Sequence, residues 1–298
     1  MKFGKVDDTS LIDFTLPADA LENTRILTAG SKPVKPEIFV GCAKWNKTDL
    51  KNFYPKGTKD ELTYYSSQFN SIELNATFYN NFPVETIASW YSKTPAHFRF
   101  FPKLHQAISH WKRLKDAGAP TDLYLDGIAH LQDKLGMLFL QMPDNFAPKN
   151  WDILKEYIQS WPSGFPLALE LRHTDWYNGS FDNQELFALL EEKRIAHVIT
   201  DSAGRRDLLH MRLTSPVAFV RYNGANVDSD YTRLDDWFER LRSWTAQGIE
   251  KIYFFVHQNH EEASPLLSAY LIKKFNEHLN ADLGIPLTVS AAKAQQLA

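Results

Sequence analysis

A single-domain α/β protein of the (β/α)8 TIM-barrel type, with an N-terminal extension, is the fold the sequence predicts from two observations. Eight short strand-like runs recur at residues 38–43, 71–78, 98–105, 137–143, 166–173, 196–202, 218–224 and 251–259. Mostly helical stretches separate them, the pattern of parallel strands joined by crossover helices. At least six of the runs end in charged, amide or imidazole groups. A barrel of this kind gathers such groups on its C-terminal face, where active sites lie.

Residues 1–36 are polar, with Pro33 and Pro36 just ahead of the first run, and read as an extension laid on the barrel. The barrel domain then occupies 37–282. The first run holds the chain's one cysteine, Cys42, which its apolar neighbours mark as a buried strand residue. One cysteine leaves no intramolecular disulfide and no thiolate metal site. Helices are expected at 83–93, 151–161, 183–194, 234–247 and 265–279. Leu186, Leu189 and Leu190 recur at i, i+3, i+4, and Trp237, Leu241 and Trp244 at i, i+4, i+7, so each set forms one core-facing stripe. The connection at 203–216 is too short and too charged for a barrel helix and is expected to be irregular. From residue 283 to 298 periodicity fades into an Ala/Gln-rich tail or short final helix.

Composition narrows the partners. Of 298 residues, 44% are hydrophobic and 23% charged, ordinary values for a globular chain, and the net charge is −3. Such a balance offers no basic field for a polyanion, so nucleic acid is disfavoured. No apolar stretch approaches the roughly 18 residues needed to span a bilayer. The N-terminus continues into Asp7 and Asp8 instead of an apolar secretory core. The expectation is a cytoplasmic protein without a membrane partner.

Side chains alternate between the two faces of a strand, so each run divides into two sets. Glu73, Asn75 and Thr77 oppose Ile72, Leu74 and Ala76; Ala168, Glu170 and Arg172 oppose Leu167, Leu169 and Leu171. Arg221 and Asn223 share a face with Phe219, Lys103 with Phe101, Gln141 with Phe139, and His257 with Tyr253 and Phe255. The polar sets are expected inside the barrel near its upper rim, as one cluster of Glu73, Lys103, Gln141, Glu170, Arg172, Arg221, Asn223 and His257. Asp201 shares its face with His197 and Ile199, which leaves its direction open. A plug of ion pairs is the structural alternative. So many buried charges are a costly way to fill a barrel, since apolar replacements are often as stable.

The same residues resemble a known family. Phe69-Asn70-Ser71-Ile72-Glu73-Leu74-Asn75-Ala76-Thr77-Phe78-Tyr79 is similar to the FN-x-[VI]-E-x-N-x-TFY signature of the DUF72 (YecE-like) family. Further elements resemble it in order: Lys103 with Ile108-Ser109-His110, Leu135-Gly136 with Phe139-Leu140-Gln141-Met142-Pro143, Glu170-Leu171-Arg172-His173-Thr174-Asp175-Trp176, Asp201-Ser202 and Ala263-Ser264-Pro265. The resemblance spans about residues 38–280. It implies a TIM barrel and no particular reaction. Two departures stand out. Cys42-Ala43-Lys44-Trp45 replaces the family's first-strand SGW, and Arg221-Tyr222-Asn223-Gly224 carries Asn where the family's R-x-HG has His.

Glu73 and Glu170 are the candidate catalytic acid/base pair, with Arg172 keeping Glu170 ionised and so more base than acid. Asn75, Lys103, Gln141, Arg172, His173, Trp176, Asp201, Arg221, Asn223 and His257 are the candidate substrate-binding residues. Arginine forks and a lysine point charge suit a carboxylate or phosphate, and Gly224 in the seventh loop could expose backbone N–H groups to it. Trp45, Tyr79 and Trp176 are the rim aromatics available for stacking. Two-carboxylate glycosidases of this fold commonly end strands four and seven in carboxylates, positions held here by Gln141 and by Arg221 and Asn223. Glu73, Glu170, His173, Asp201 and His257 are ligand types for a divalent metal, but Lys103, Arg172 and Arg221 nearby would repel it. No cofactor is therefore expected, and a metal-dependent sugar isomerase or nuclease is the minor alternative. The sequence reading is an enzyme, whether hydrolase, lyase or isomerase, acting on a small polar or anionic ligand such as a sugar or phosphorylated metabolite. Its alternative is a barrel that binds a ligand or partner without turnover.

Overall fold

Eight parallel strands form the barrel of the computed structural model, which describes residues 4–28 and 35–287. They are β1 (Glu37–Cys42), β2 (Ser71–Leu74), β3 (Arg99–Pro102), β4 (Leu138–Gln141), β5 (Leu167–Glu170), β6 (Ala196–Ser202), β7 (Val217–Gly224) and β8 (Lys251–Gln258). The order is β3-β2-β1-β8-β7-β6-β5-β4, and isolated bridges of Phe100 to Leu135 and Lys103 to Phe139 join β3 to the β4 side. Helices α1 (Asn23–Thr28), α2 (Glu61–Gln68), α3 (Ala76–Tyr79), α4 (Val84–Lys93) and α5 (Gly118–Ile128) accompany the first half. The second half carries α6 (Trp151–Ser160), α7 (Gln184–Glu192), α8 (Ser229–Gln247) and α9 (Ser264–Leu279). After β6 the chain makes only a 3-10 turn, Ala203–Leu208, the irregular sixth connection expected of so charged a segment.

Strand parity sorts the core into two layers. Outside the sheet, the stripe of Trp237, Leu241 and Trp244 on α8 is fully buried. Inside, Phe39, Phe101, Phe139, Phe219, Tyr253 and Phe255 pack across the lumen, with Phe101 centred 4.6 Å from Tyr253 and 4.9 Å from Phe255. This aromatic layer fills the barrel below its C-terminal rim. Gly41 marks a close approach of strands, because a Cβ there would lie 2.3 Å from the Ser71 carbonyl oxygen. Asn70 pins the same edge: its amide oxygen accepts from Val40 N at 3.0 Å and its amide nitrogen donates to Ile38 O at 2.8 Å.

The second predicted strand is corrected at its end. The run 71–78 was expected to stay extended, but β2 stops at Leu74 and residues 76–79 coil into α3. Thr77 causes the turn to hold, since its hydroxyl donates to the carbonyls of both Leu74 and Lys103. From Gly4, the described part of the N-terminal segment runs first at the barrel mouth. The Gly4 carbonyl accepts from Ser202 Oγ and Gly204 N, and Lys5 Nζ donates to Asn259 O. From there it descends past α8, where Phe14 lies against Arg233 and Asp19 receives Arg240 and Trp244. Most of the expected tail, residues 288–298, lies outside the described residues.

Candidate functional site

Above the aromatic layer sits a layer of charge. Arg221, from the upper part of β7, is its centre: Nε and Nη2 donate to the two carboxylate oxygens of Glu73 at 2.8 and 2.7 Å, and Nη1 to Glu170 Oε2 at 2.9 Å. The second oxygen of Glu170 accepts from Arg172 Nε at 2.6 Å. Gln141 links the pair to Lys103, donating from Nε2 to Glu170 Oε2 at 2.8 Å and accepting from Lys103 Nζ at 2.6 Å. Asn75 Nδ2 donates to Glu73 Oε1 at 2.7 Å, and His257 Nε2 lies 3.1 Å from Glu73 Oε2. Glu73 is 0% and Glu170 1% exposed.

The electrostatics follow from that geometry. Burial opposes ionisation of Glu73, but the charges of Arg221 and His257 and their hydrogen bonds outweigh it and hold the carboxyl well below its ordinary range. Glu170 is likewise opposed by burial and brought down to about 2 by Arg172, Arg221 and Gln141. Both carboxylates are thus ionised and saturated. Lys103 goes the other way. Burial, with Arg172 and Arg221 adding like charge, lowers its ammonium to about 7. Beneath Nζ lies the Phe78 ring, 4.0 Å away at its centroid. Among the described residues the layer therefore holds three basic side chains, Lys103, Arg172 and Arg221, against two carboxylates.

Four expected residues stand elsewhere. Asp201 points out of the barrel, where its carboxylate accepts from Arg233 Nη2 at 3.0 Å and Trp237 Nε1 at 2.7 Å and pairs with Arg206. Thr200 and Ser202 take the inner face of β6 with Val198, since the small Ala196 and Val198 fit the crowded lumen. Trp176 is core, not rim, with Nε1 donating to Phe146 O at 2.7 Å and its ring against Phe181. His173 follows β5 as a turn residue, its Nδ1 accepting from Asp175 N at 3.2 Å. Asn223 lies on the inner face of β7, but its amide donates to the Asp201 and Arg221 carbonyls. The seventh loop is corrected as well. Its N–H groups at Ala225, Asn226 and Val227 all donate to the buried carboxylate of Asp230, which occupies the place an anion would take. Of the rim aromatics, Tyr79 is exposed and Trp45 packs on Trp90. Among the described residues no three His, Cys, Asp or Glu side chains are grouped so as to hold a metal ion.

One neighbour escaped the parity argument. His110 lies in a π-helical turn, Ala107–Trp111, after β3, its ring edge-on to Phe78 at 4.8 Å. Burial and then the charges of Lys103, Arg172 and Arg113 lower it to about 4, so it is neutral at pH 7. Its signal was the Ile108-Ser109-His110 motif following Lys103; alternation cannot reach a residue beyond a strand.

Fold and site together define a (β/α)8-barrel protein with a buried, cation-rich ionic network at its C-terminal mouth. The chain belongs to the DUF72 family, described as a protein family of unknown function, which matches residues 39–290. It is similar to the UPF0759 protein YecE of Escherichia coli K12, 26% identical over 242 residues that span 74% of this chain and 86% of YecE. The UPF0759 protein YunF of Bacillus subtilis is 28% identical over 173 residues, 55% of this chain and 60% of YunF. Among solved structures, a DUF72 family protein of Thermotoga maritima matches with a TM-score of 0.66 and 25% identity over 81% of this chain and 99% of that one. One from Enterococcus faecalis matches with a TM-score of 0.63 and 19% identity, covering 81% and 98%. The extension before residue 39 lies outside the family match.

Proposed function

We propose that the C-terminal mouth binds a small anionic molecule and transforms it by proton transfer. The excess of basic groups over carboxylates in a layer that is nearly all buried carries this reading. An added anion would offset the charge of Lys103 in its protonated form, and an arginine that releases its carboxylate presents a planar fork to a carboxylate or phosphate. Arg172 and Arg221 bind the anion, with Asn75, Gln141 and His257 orienting the ligand around them. Glu73 and Glu170 are the acid/base pair of this reading. Paired as they are, both are weak bases, and an arginine that turns to the ligand's anionic group loosens its hold on Glu170 and makes it more basic.

A second reading has its own support. The saturation of both carboxylates suits a barrel that binds its anion and leaves it unchanged. A thermal-shift screen of phosphate esters and carboxylic acids tests the binding step. A ligand at a hundred times its Kd adds about 2.7 kcal/mol, worth several degrees for a chain of this size. Arg172→Gln is expected to remove that shift, and its persistence would place the anion elsewhere. With a ligand in hand, Glu170→Gln separates the two readings: it abolishes turnover and keeps binding within about tenfold if Glu170 transfers the proton. Unchanged turnover would refute that role.

A further inference from the structure

Lys103 is held more firmly than a lysine packed for bulk requires. It follows β3, its N–H donates to Leu74 O at 3.1 Å, and its carbonyl accepts from Thr77 Oγ1 at 2.8 Å and Tyr124 OH at 2.9 Å. The side chain is treated differently. Its amine is part of a residue only 8% exposed, and it makes one hydrogen bond, to the neutral amide oxygen of Gln141. Among the described residues no carboxylate oxygen lies within 4.0 Å of Nζ, because Arg221 and Arg172 take the oxygens of Glu73 and Glu170. The groups facing it are Glu73 from β2, Gln141 from β4, Glu170 and Arg172 at β5, Arg221 from β7 and His110 from the turn after β3. An ammonium kept only for stability would be given a carboxylate partner. This site gives it two guanidiniums and a ring face instead, the surroundings that turn a lysine into a nucleophile.

We propose that Lys103 condenses with a small aldehyde or ketone whose phosphate or carboxylate group is held by Arg172 and Arg221, forming an imine at Nζ. The inference rests on the anion-site reading and names its substrate class. In the step, the Nζ lone pair adds to the carbonyl carbon, the C=O π pair moves to oxygen, and that oxygen takes the proton lost from nitrogen. The resulting carbinolamine takes up one proton on its hydroxyl, which leaves as water as the C=N bond forms, and the iminium nitrogen then gives one proton back to leave the imine. Amine and carbonyl thus become imine and one water, with no oxidant or reductant. Gln141 Oε1 holds an Nζ hydrogen and so directs the lone pair. The ammonium lies low enough, at about 7, for most of the amine to be neutral at pH 7.5. An ordinary lysine has a neutral fraction roughly several hundredfold smaller there.

The full-length chain is treated at pH 7.5 with cyanoborohydride and one of three aldehydes: pyridoxal 5′-phosphate, glyoxylate or pyridoxal. Labelled lysines are mapped by peptide mass spectrometry. Lys103 is expected to label at least about tenfold faster than surface lysines with the phosphate or the carboxylate reagent, and the faster of those two names the anion. Its rate should rise with a midpoint near pH 7. Lys103→Met should lose the label while still unfolding cooperatively, and Arg172→Gln should slow the anionic reagents to the rate of pyridoxal. Labelling confined to surface lysines would overturn the nucleophile. Thermal stabilisation by inorganic phosphate in that same protein would leave the anion site standing. Equal labelling of Lys103 by pyridoxal and both anionic reagents would overturn the anion site and the substrate class, and leave the nucleophile.

Discussion

Replacing Arg221 by Met removes the guanidinium and keeps an apolar chain of similar reach over the Phe139 ring, which lies 5.4 Å from Cζ in the native protein. Glu73 then loses two charge-assisted hydrogen bonds and keeps Asn75 and His257; Glu170 loses one and keeps Arg172 and Gln141. Breaking a buried pair costs about 3–5 kcal/mol, because a buried charge is left uncompensated. The carboxylates give the same order. Glu170 lies at about 2 against an ordinary 4.5, which at neutral pH is worth about 3 kcal/mol of folding stability. That pairing includes Arg172, so Arg221 carries only part of it, and Glu73 adds a contribution of the same sign. The sign sets the pH window. Both folded pKa values are depressed, so the stabilisation is present above about 4.5 and is lost as pH falls, the Glu170 part as pH nears 2. Denaturant unfolding of Arg221→Met at pH 7 should therefore show a loss of about 3–5 kcal/mol, which shrinks as pH falls below about 4.5. A loss below about 1 kcal/mol, or one that does not change with pH, would refute the pairing scheme.

Two further outcomes follow from the same layer. Lys103→Met should stabilise the chain at pH 6–7 by about 1–3 kcal/mol, since it removes a charge that burial disfavours. In the native protein the folded chain binds fewer protons than the unfolded one between about 7 and 10.5, so its stability rises with pH across that interval. The Met variant should lack this rise in denaturant titrations, and an unchanged slope would show that Lys103 does not cause it. Asp201→Asn should cost about 3–5 kcal/mol through Arg233 and Arg206. It should leave any anion-induced thermal shift intact, and loss of that shift would return Asp201 to the site.

Alternation along the chain was enough to place Glu73, Gln141, Glu170, Arg221 and His257 in one inward layer, because a strand leaves its side chains only two directions. It carried over to Lys103 and Arg172 just past their strands, where the backbone still runs on from the sheet. It could not orient β6, whose two faces are both buried and both mix apolar with polar residues; the crowded lumen chose Val198 and Thr200 and turned Asp201 outward. Nor could it reach residues set by turns, such as Trp176, His173 and His110. The family resemblance established kinship and the barrel, and no reaction. Partnership belonged to the tertiary structure alone. Only the closed barrel brings Arg221 of β7 between Glu73 of β2 and Glu170 of β5, and aims Asp230 of α8 at the backbone of the seventh loop. The same closure spends both carboxylates on arginines and leaves Lys103 facing an amide. Residue types and their faces are properties of the sequence, whereas which charge meets which depends on distances across the barrel, and these exist only once it has closed.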